Sequence, residues 1–445
     1  MIATETALET PAVACKEPLL GNYFVAAYPP FSAWEPRQNC AVGHALAAPA
    51  DLDTPLGFYV HIPFCQQKCD YCYYLSFIGQ TADVVNHYLA DVGREAQLYS
   101  RQTALSGRKP VFVYFGGGTP STLTPVQVRQ LGNGLRSALA LNDVEEITFE
   151  CAPRSVRPEL LNALKEIGVT RISMGVQSFN NAVLKLNGRI HLDEDVIRAY
   201  ALIRRAGFAT VNLDLMVGLM SETEEIWAES VRCIIEMNPD SVTIYQTEIP
   251  YNTQVYQDLK SGWLPAPLIP WDAKRARLDY GFTELELAGY TVVNGYAAVK
   301  NPARDRLRYQ EYFWRGADML GLGVAAFSYF GGVHFQNEIT LEKYAARVEQ
   351  DALPVKRAYR LTEHDQLVRR FILQLKLGEV PVADFREAFD VDIREVFEHP
   401  LQQLVEQNLL TVSAEAVRLT RSGLLCVDRL LPYFYAPQFQ NLRYT

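Results

Sequence analysis

The sequence predicts an α/β protein: a partial (β/α)6 barrel with an N-terminal arm and a C-terminal winged-helix-like module. Three observations predict it. Six short runs rich in Val, Ile and aromatic residues recur as GFYVHI (57–62), VFVYF (111–115), EITFE (146–150), TRISMGV (170–176), TVNLDLMVG (210–218) and SVTIYQ (241–246). Longer segments of helical period separate them, as in 81–101, where Val84, Tyr88, Leu89, Val92 and Ala96 share one face. After residue 360 the pattern changes to consecutive short helices. Strands alternating with helices make βαβ units and a parallel sheet, whose sites lie at the carboxyl ends of the strands.

Taken in order, residues 1–55 are an arm rich in Pro and Ala with an aromatic island, NYFVAAYPPFSAW (22–34). Tyr23, Phe24, Tyr28, Phe31 and Trp34 are too apolar for a free tail, so the arm is expected to dock on the body as a leader without chemistry. Residues 56–350 hold the barrel and an aromatic-rich extension (247–350) of no clear period. In 356–445, LTEHDQLVRRFILQLKLG, VADFREAFD and IREVFEHPLQQLVEQNLL read as three helices. LTVSA and AVRLT read as a small β wing, and a last helix begins near Ser422. This module carries similar numbers of acidic and basic residues, which suits a lid better than a DNA reader.

The composition is globular: of 445 residues, 49% are hydrophobic and 21% charged, ample for a large core. That excludes a disordered chain, a collagen and a small disulfide scaffold. The formal charge of −9, from 42 basic and 51 acidic residues, is poorly suited to phosphate backbones, so no nucleic-acid partner is expected. No apolar run is long enough for a membrane span, and the start MIATETALETPAVACKEPLL lacks an export core. A cytoplasmic protein with no membrane partner is expected. Of eight cysteines, those at 15, 40, 151, 233 and 426 stand singly, while three fall within eight residues, a cluster that reads as metal or redox chemistry.

That cluster lies in YVHIPFCQQKCDYCYY (59–74), directly after the first strand, with Cys65, Cys69 and Cys72 spaced C-x3-C-x2-C. Three thiolates on one tight loop can hold three irons of a [4Fe–4S] cluster and leave the fourth open to a small chelating ligand. A structural zinc site wants four ligands, and no fourth Cys or His follows closely. His61 reads as core or as support for the site. The second strand ends in YFGGGTPSTL (114–123), whose glycines let backbone amides and carbonyls approach a ligand.

Together with FECAPR, SMGVQSFNNAVLKLNGR and NLDLMVGL at their spacings, these motifs resemble the HemN-like branch of the radical S-adenosylmethionine (SAM) superfamily, over about residues 23–435. The resemblance implies an oxygen-sensitive [4Fe–4S] cluster on Cys65, Cys69 and Cys72, SAM cleaved to a 5′-deoxyadenosyl radical, and a flavodoxin- or ferredoxin-type reductant. It implies that Tyr59, Tyr71, Gly117 and Glu150 contact the first SAM, with Gln246 and Phe327 lining its adenosine. For a second SAM the matching positions are Gly118, Thr119, Gln177, Arg189 and Asp214. Their chemistry suits that role, since Arg189 can pair with a carboxylate and Asp214 can take ribose hydroxyls or an ammonium.

Three activities occur in that branch: porphyrinogen decarboxylation, haem trafficking, and methyl or methylene transfer. The decarboxylases have a further Cys two residues after the third cluster Cys, where this chain has Tyr74. Haem-trafficking members carry a His-Asn-x-x-Tyr-Trp signature, and RYQEYFWRGADMLGLGVAAFS (308–328) has no His. The expectation is therefore transfer of a one-carbon unit from the second SAM to an sp2 carbon of a conjugated or aromatic small molecule, as in class C methyltransferases. Oxidative decarboxylation of a coproporphyrinogen is the alternative, and a haem-binding carrier the third reading. YQTEIPYNT (245–253) and GGVHFQNE (331–338) are expected to line the substrate cavity, making Tyr245, Glu248, Tyr251, His334 and Gln336 candidates for substrate or proton handling. Glu248 and His334 are the expected bases by type.

Overall fold

A computed structural model describes residues 20, 21, 24, 25, 27–440 and 442. Tyr23 of the aromatic island and Cys15 lie outside the described residues. All six expected strands form. β1 (Leu56–Ile62) leads into a clip of two tiny strands, β2 (Phe64–Cys65) and β3 (Phe77–Ile78), which brackets the cysteine loop. The barrel continues with β4 (Pro110–Gly117), β5 (Glu146–Cys151), β6 (Arg171–Gln177), β7 (Thr210–Val217) and β8 (Ser241–Gln246), parallel in the order β1-β4-β5-β6-β7-β8.

From β5 to β8 the strands alternate: one face is apolar and covered by the connecting helices, as Val211, Leu213 and Leu215 of β7 are, while the other carries polar residues such as Asn212 and Asp214 toward the barrel interior. Ala82–Ser100, Pro125–Ala138 and Glu224–Met237 each begin at a threonine whose side chain accepts a first-turn amide: Thr81 from Val84, Thr124 from Gln127 and Thr223 from Ile226. Their apolar stripes, such as Tyr88, Leu89, Val92 and Ala96, join Val60, Val113, Phe149 and Ile172 of the strands in one core.

The aromatic-rich section 247–350, in which no period is legible, extends the sheet at both ends. Beyond β8 lie the antiparallel β10 (Ala297–Val299) and β9 (Thr291–Val292). On the other side, β11 (Asp318–Leu322) pairs parallel with β1 as a seventh barrel strand. An antiparallel run then follows: β12 (Phe327–Phe330), β13 (Val333–Asn337) and β14 (Val355–Arg360). β12 and β13 are joined at Gly331 and Gly332, both with positive φ. Because β14 belongs to this sheet, the C-terminal module begins at Leu361 rather than at 356.

That module contains the three expected helical regions and the wing, β16 (Leu410–Val412) with β17 (Ala416–Leu419). An unforeseen third strand, β15 (Glu379–Pro381), pairs with β17. Among the described residues no helix is long and apolar enough to cross a membrane.

The arm, the barrel edge and the module share a second core, in which Val25 and Tyr28 meet Phe112, Tyr296, Phe371 and Phe434. Tyr28 is wholly buried, with its ring 4.9 Å from Tyr435 and 5.6 Å from Phe439. At the junction lies Lys376, also wholly buried. Its Nζ donates to the Val25 carbonyl at 2.8 Å, lies 3.0 Å from Asp428 Oδ1 and stands 3.7 Å over the Phe24 ring. Asp428 also accepts from the Val25 amide at 3.2 Å and from the Tyr296 hydroxyl. Burial lowers the Lys376 pKa and Asp428 opposes that shift, so the ammonium persists through its partner. Lys376→Met should lower unfolding free energy by about 3 kcal/mol in urea titrations, because it strands a partly buried carboxylate. Lys376→Met/Asp428→Asn should recover part of the loss.

Candidate active site

A cavity of about 860 Å³ lies at the carboxyl ends of the parallel strands, near the upper end of the roughly 300–1,000 Å³ range of small-molecule sites. Of the expected site residues, all but Cys65, Cys69 and Tyr251 line it. Tyr251 packs instead on Tyr256, with ring centroids 5.1 Å apart, so it is not a cavity residue. Cys65 and Cys69 sit just behind the wall, joined to it by Thr119 and Arg189.

The cysteine loop is held by the glycines that end β4. The Gly118 amide donates to the Ile62 carbonyl and the Thr119 amide to the Phe64 carbonyl, both at 2.8 Å. A Cβ on Gly118 would lie 2.8 Å from the Phe64 oxygen and 3.0 Å from Cys65 Sγ. Gly117 has φ +118°, and a Cβ there would come within 2.6 Å of the His61 ring. His61 is thus a spacer beneath the glycines. Its Nδ1 lies 3.1 Å from the Tyr59 hydroxyl, and burial lowers its pKa to about 4, leaving the ring neutral.

Around the thiols the donors fit an iron–sulfur cluster and its ligand. The Thr119 hydroxyl donates to Cys65 Sγ at 3.4 Å, and Arg189 Nη1 to Cys69 Sγ at 3.3 Å. Burial raises the pKa of Cys65, and that of Cys72 to about 11. A bound cation would reverse those shifts. Among the described residues no three His, Cys, Asp or Glu side chains converge as a single metal ion requires. Among the described residues, the buried Gln177 Oε1, Gln246 Oε1 and Arg189 Nε have no hydrogen-bond partner. Such orphaned groups at one cavity wall mark a polar ligand's place.

Glu150, at the end of β5, accepts from the Tyr114 hydroxyl at 2.6 Å and the Gly117 amide at 3.2 Å. Burial pushes its pKa up to about 7 and Asp214 adds to this, while the two donors oppose it. On β7, Asp214 accepts from Asn212 Nδ2 at 2.7 Å and Ser173 Oγ at 3.2 Å, and burial raises its pKa to about 6. Gln177 holds a positive φ of 69° where the β6–β7 register shifts. That distortion, uncommon for a residue with a side chain, sits at the wall. Arg189 Nη2 donates to the Gly175 carbonyl at 3.0 Å.

Beyond these polar groups the cavity is aromatic. Tyr59 and Tyr114 are register partners on β1 and β4 and stack at 6.0 Å, while Tyr114 meets Tyr309 at 5.0 Å. Tyr73 and Tyr74 stack at 4.6 Å. Tyr74 is 47% exposed and lines the cavity two residues after Cys72. The arm contributes too: Phe31 stacks on Phe327 at 4.2 Å and Trp34 on His334 at 4.9 Å. The docked leader is therefore also a wall of the site, which corrects the expectation of an arm without chemistry.

Glu248 lines the cavity, as does His334, but the histidine is only 2% exposed between Trp34 and Tyr329. Its Nδ1 lies 3.3 Å from the Ser328 carbonyl. Burial, and then the Arg369 guanidinium, hold its pKa well below the ordinary value. His334 is thus a neutral packing group rather than an open base. Gln336 is tied to the Ala325 carbonyl at 3.3 Å and to Arg357 at 2.8 Å. Gln246 donates to the Leu425 carbonyl at 3.1 Å, stitching the barrel to the C-terminal module, whose residues 424–429 line the cavity.

Residues 59–234 match the radical SAM superfamily, and residues 361–426 the HemN C-terminal domain. The chain is 29% identical, over 90% of each protein, to the oxygen-independent coproporphyrinogen III oxidase of Pseudomonas aeruginosa. It is 32% identical to the heme chaperone HemW of Escherichia coli, over 86% of this chain and 98% of that one. This chain belongs to the HemN-like family of radical SAM enzymes. The solved structure of coproporphyrinogen III oxidase (HemN) from Escherichia coli agrees, with a TM-score of 0.80 at 26% identity over 92% of this chain and 96% of that one.

Membership implies a [4Fe–4S] cluster and SAM, and the three thiols and orphaned polar groups fit both. The relatives are named as oxidases and chaperones, which favours the coproporphyrinogen alternative over the expected methyl transfer. As a HemN-like enzyme, the protein should lose iron–sulfur absorbance on Gly118→Ala substitution while keeping its circular dichroism, because the new methyl collides with the cysteine loop. SAM affinity of the reconstituted enzyme should rise several-fold as pH increases through about 7, when Glu150 loses the proton that burial retains. Equilibrium dialysis on Glu150→Gln should show a flat profile.

Proposed function

We propose that this radical SAM enzyme acts on a cyclic tetrapyrrole and transfers to one of its sp2 carbons a one-carbon unit taken from a second SAM. The observation that carries the reading is the continuity of one cavity, in which the residues expected to hold one SAM, those expected to hold a second and a group of tyrosines share one lining. The relatives' names supply the substrate class: coproporphyrinogen in one and heme in the other, both tetrapyrroles. Flat conjugated rings suit walls of stacked aromatic side chains.

When bound, the cluster and SAM supply a primary carbon radical by reductive cleavage of the sulfonium. Cys65, Cys69 and Cys72 hold the irons, and Arg189 places positive charge against the Cys69 sulfur. Glu150 is positioned by Tyr114 and the Gly117 amide to take ribose hydroxyls. Gln177 and Asp214 face the cavity from β6 and β7, where a second SAM would find an amide and a carboxylate. The arm and the residues after Leu424 exclude water from the vault. Glu248, rather than the enclosed His334, is the base with access to the vault.

Tyr74 carries the choice of reaction: a phenol ring stands where the family's decarboxylases have a thiol. Oxidative decarboxylation of a porphyrinogen is the second reading, and the names and full-length coverage of the oxidases favour it. Products separate the two. One-carbon transfer predicts S-adenosylhomocysteine together with 5′-deoxyadenosine from dithionite-reduced enzyme, whereas decarboxylation predicts CO2 and 5′-deoxyadenosine alone. Asp214→Asn, which touches no thiol, should cut the one-carbon product at least tenfold and leave 5′-deoxyadenosine formation within about threefold. Equal loss of both products would count against a second SAM site.

A further inference from the structure

Beside the arm, Phe327 on β12, Gln336 on β13 and Arg357 on β14 are neighbours across the strands, paired Phe327 with Gln336 and Gln336 with Arg357. All three line the cavity. Arg357 is held in place. Its Nε donates to Gln336 Oε1 at 2.8 Å and its Nη1 to the Phe31 carbonyl at 2.9 Å, and its guanidinium carbon lies 5.9 Å from the Trp34 ring centroid. Nη2 makes no hydrogen bond among the described residues. Burial lowers the pKa of Arg357.

A half-buried guanidinium fixed by two neutral acceptors is a charge without a counter-ion, a costly arrangement unless a ligand supplies the anion. None of the cavity's four carboxylates bonds to it, and Glu248, just after β8, acts on Lys376 and Tyr296 instead. Asp428 is bound to Lys376 and Tyr296, while Glu150 and Asp214 are held among their own donors on β5 and β7. Arg275, on the helix Trp271–Leu287, and Arg429 line the same cavity. Besides Arg171 and Arg189 of the barrel, three arginines therefore face one cavity in a chain of net charge −9.

We infer that Arg357 is the recognition site for a carboxylate side chain of the substrate, which binds with an acidic edge toward the arm. The inference rests on the tetrapyrrole reading and makes it specific. The ligand is a tetrapyrrole bearing free carboxylates, not its ester or an unsubstituted ring. The Phe31 carbonyl couples this site to the arm, so the arm's docking sets the direction in which Nη2 points.

The test is fluorescence titration of the full chain with coproporphyrin III and with its tetramethyl ester, a readout independent of the cluster. Wild type should bind the acid at least tenfold more tightly than the ester, as a charge-assisted hydrogen bond to a carboxylate implies. Arg357→Gln should lose roughly tenfold or more in affinity for the acid and none for the ester. Arg357→Lys should fall between them. Equal binding of the acid by wild type and Arg357→Gln would overturn the assignment and leave the tetrapyrrole reading standing. No binding of either compound by wild type would overturn both. If Arg357→Gln does not fold, Arg357→Lys decides: unchanged affinity for the acid overturns the site, and a selective loss supports it.

Discussion

Everything reactive in this protein depends on two pieces of backbone lying closer than side chains allow. The loop after β1 and the glycine end of β4 are bonded amide to carbonyl, and the thiol of Cys65 lies 3.0 Å from where a Cβ on Gly118 would be. Because that contact is made by main chain, the cysteine loop has a fixed position before any iron arrives. The same glycines aim an amide at Glu150, so one turn orients both the cysteine loop and a carboxylate that lines the cavity. Neutral His61 underneath completes the support by filling the space that absent Cβ atoms leave.

The rest of the architecture encloses this point. Seven parallel strands present their carboxyl ends to the cavity, and the antiparallel additions at both sheet edges widen its wall. Closure comes from outside the barrel: from the arm through Phe31 and Trp34, and from the C-terminal module through the Gln246–Leu425 hydrogen bond. Relatives at 26–32% identity share this framework across nearly the whole chain. Tyr74, which lines the cavity, is one position where this chain departs from the motif it otherwise shares with them.

The barrel was legible because its strands keep one apolar face rich in Val, Ile and Leu and its helices have clear caps and period. The cluster loop was legible because three cysteines within eight residues are rare without a purpose. The section 247–350 was not. β11 is only five residues, DMLGL, with a glycine inside, and β12 and β13 are only four and five residues long. Tyr114 could have been found by parity, since it is the register partner of Tyr59 and lies on the strand beside that of Glu150, at an inward-facing position. Arg357 gave no local signal, and the arm's aromatic residues signalled docking but not a place at the site. Their role depends on contacts across 326 positions of chain, as between Arg357 and Phe31, which no short-range pattern encodes. His334 illustrates the converse: its residue type suggested a base, and only the stacking of Trp34 reveals its enclosure.

One junction bears on how the protein comes into being. The backbone of Val25 is fastened to Asp428 and Lys376, so a stretch made before the barrel is secured by one made after it. Until synthesis reaches that far segment, the vault has no finished container. A nascent or truncated chain can carry its three thiols, yet it has no sealed chamber in which to make a radical safely.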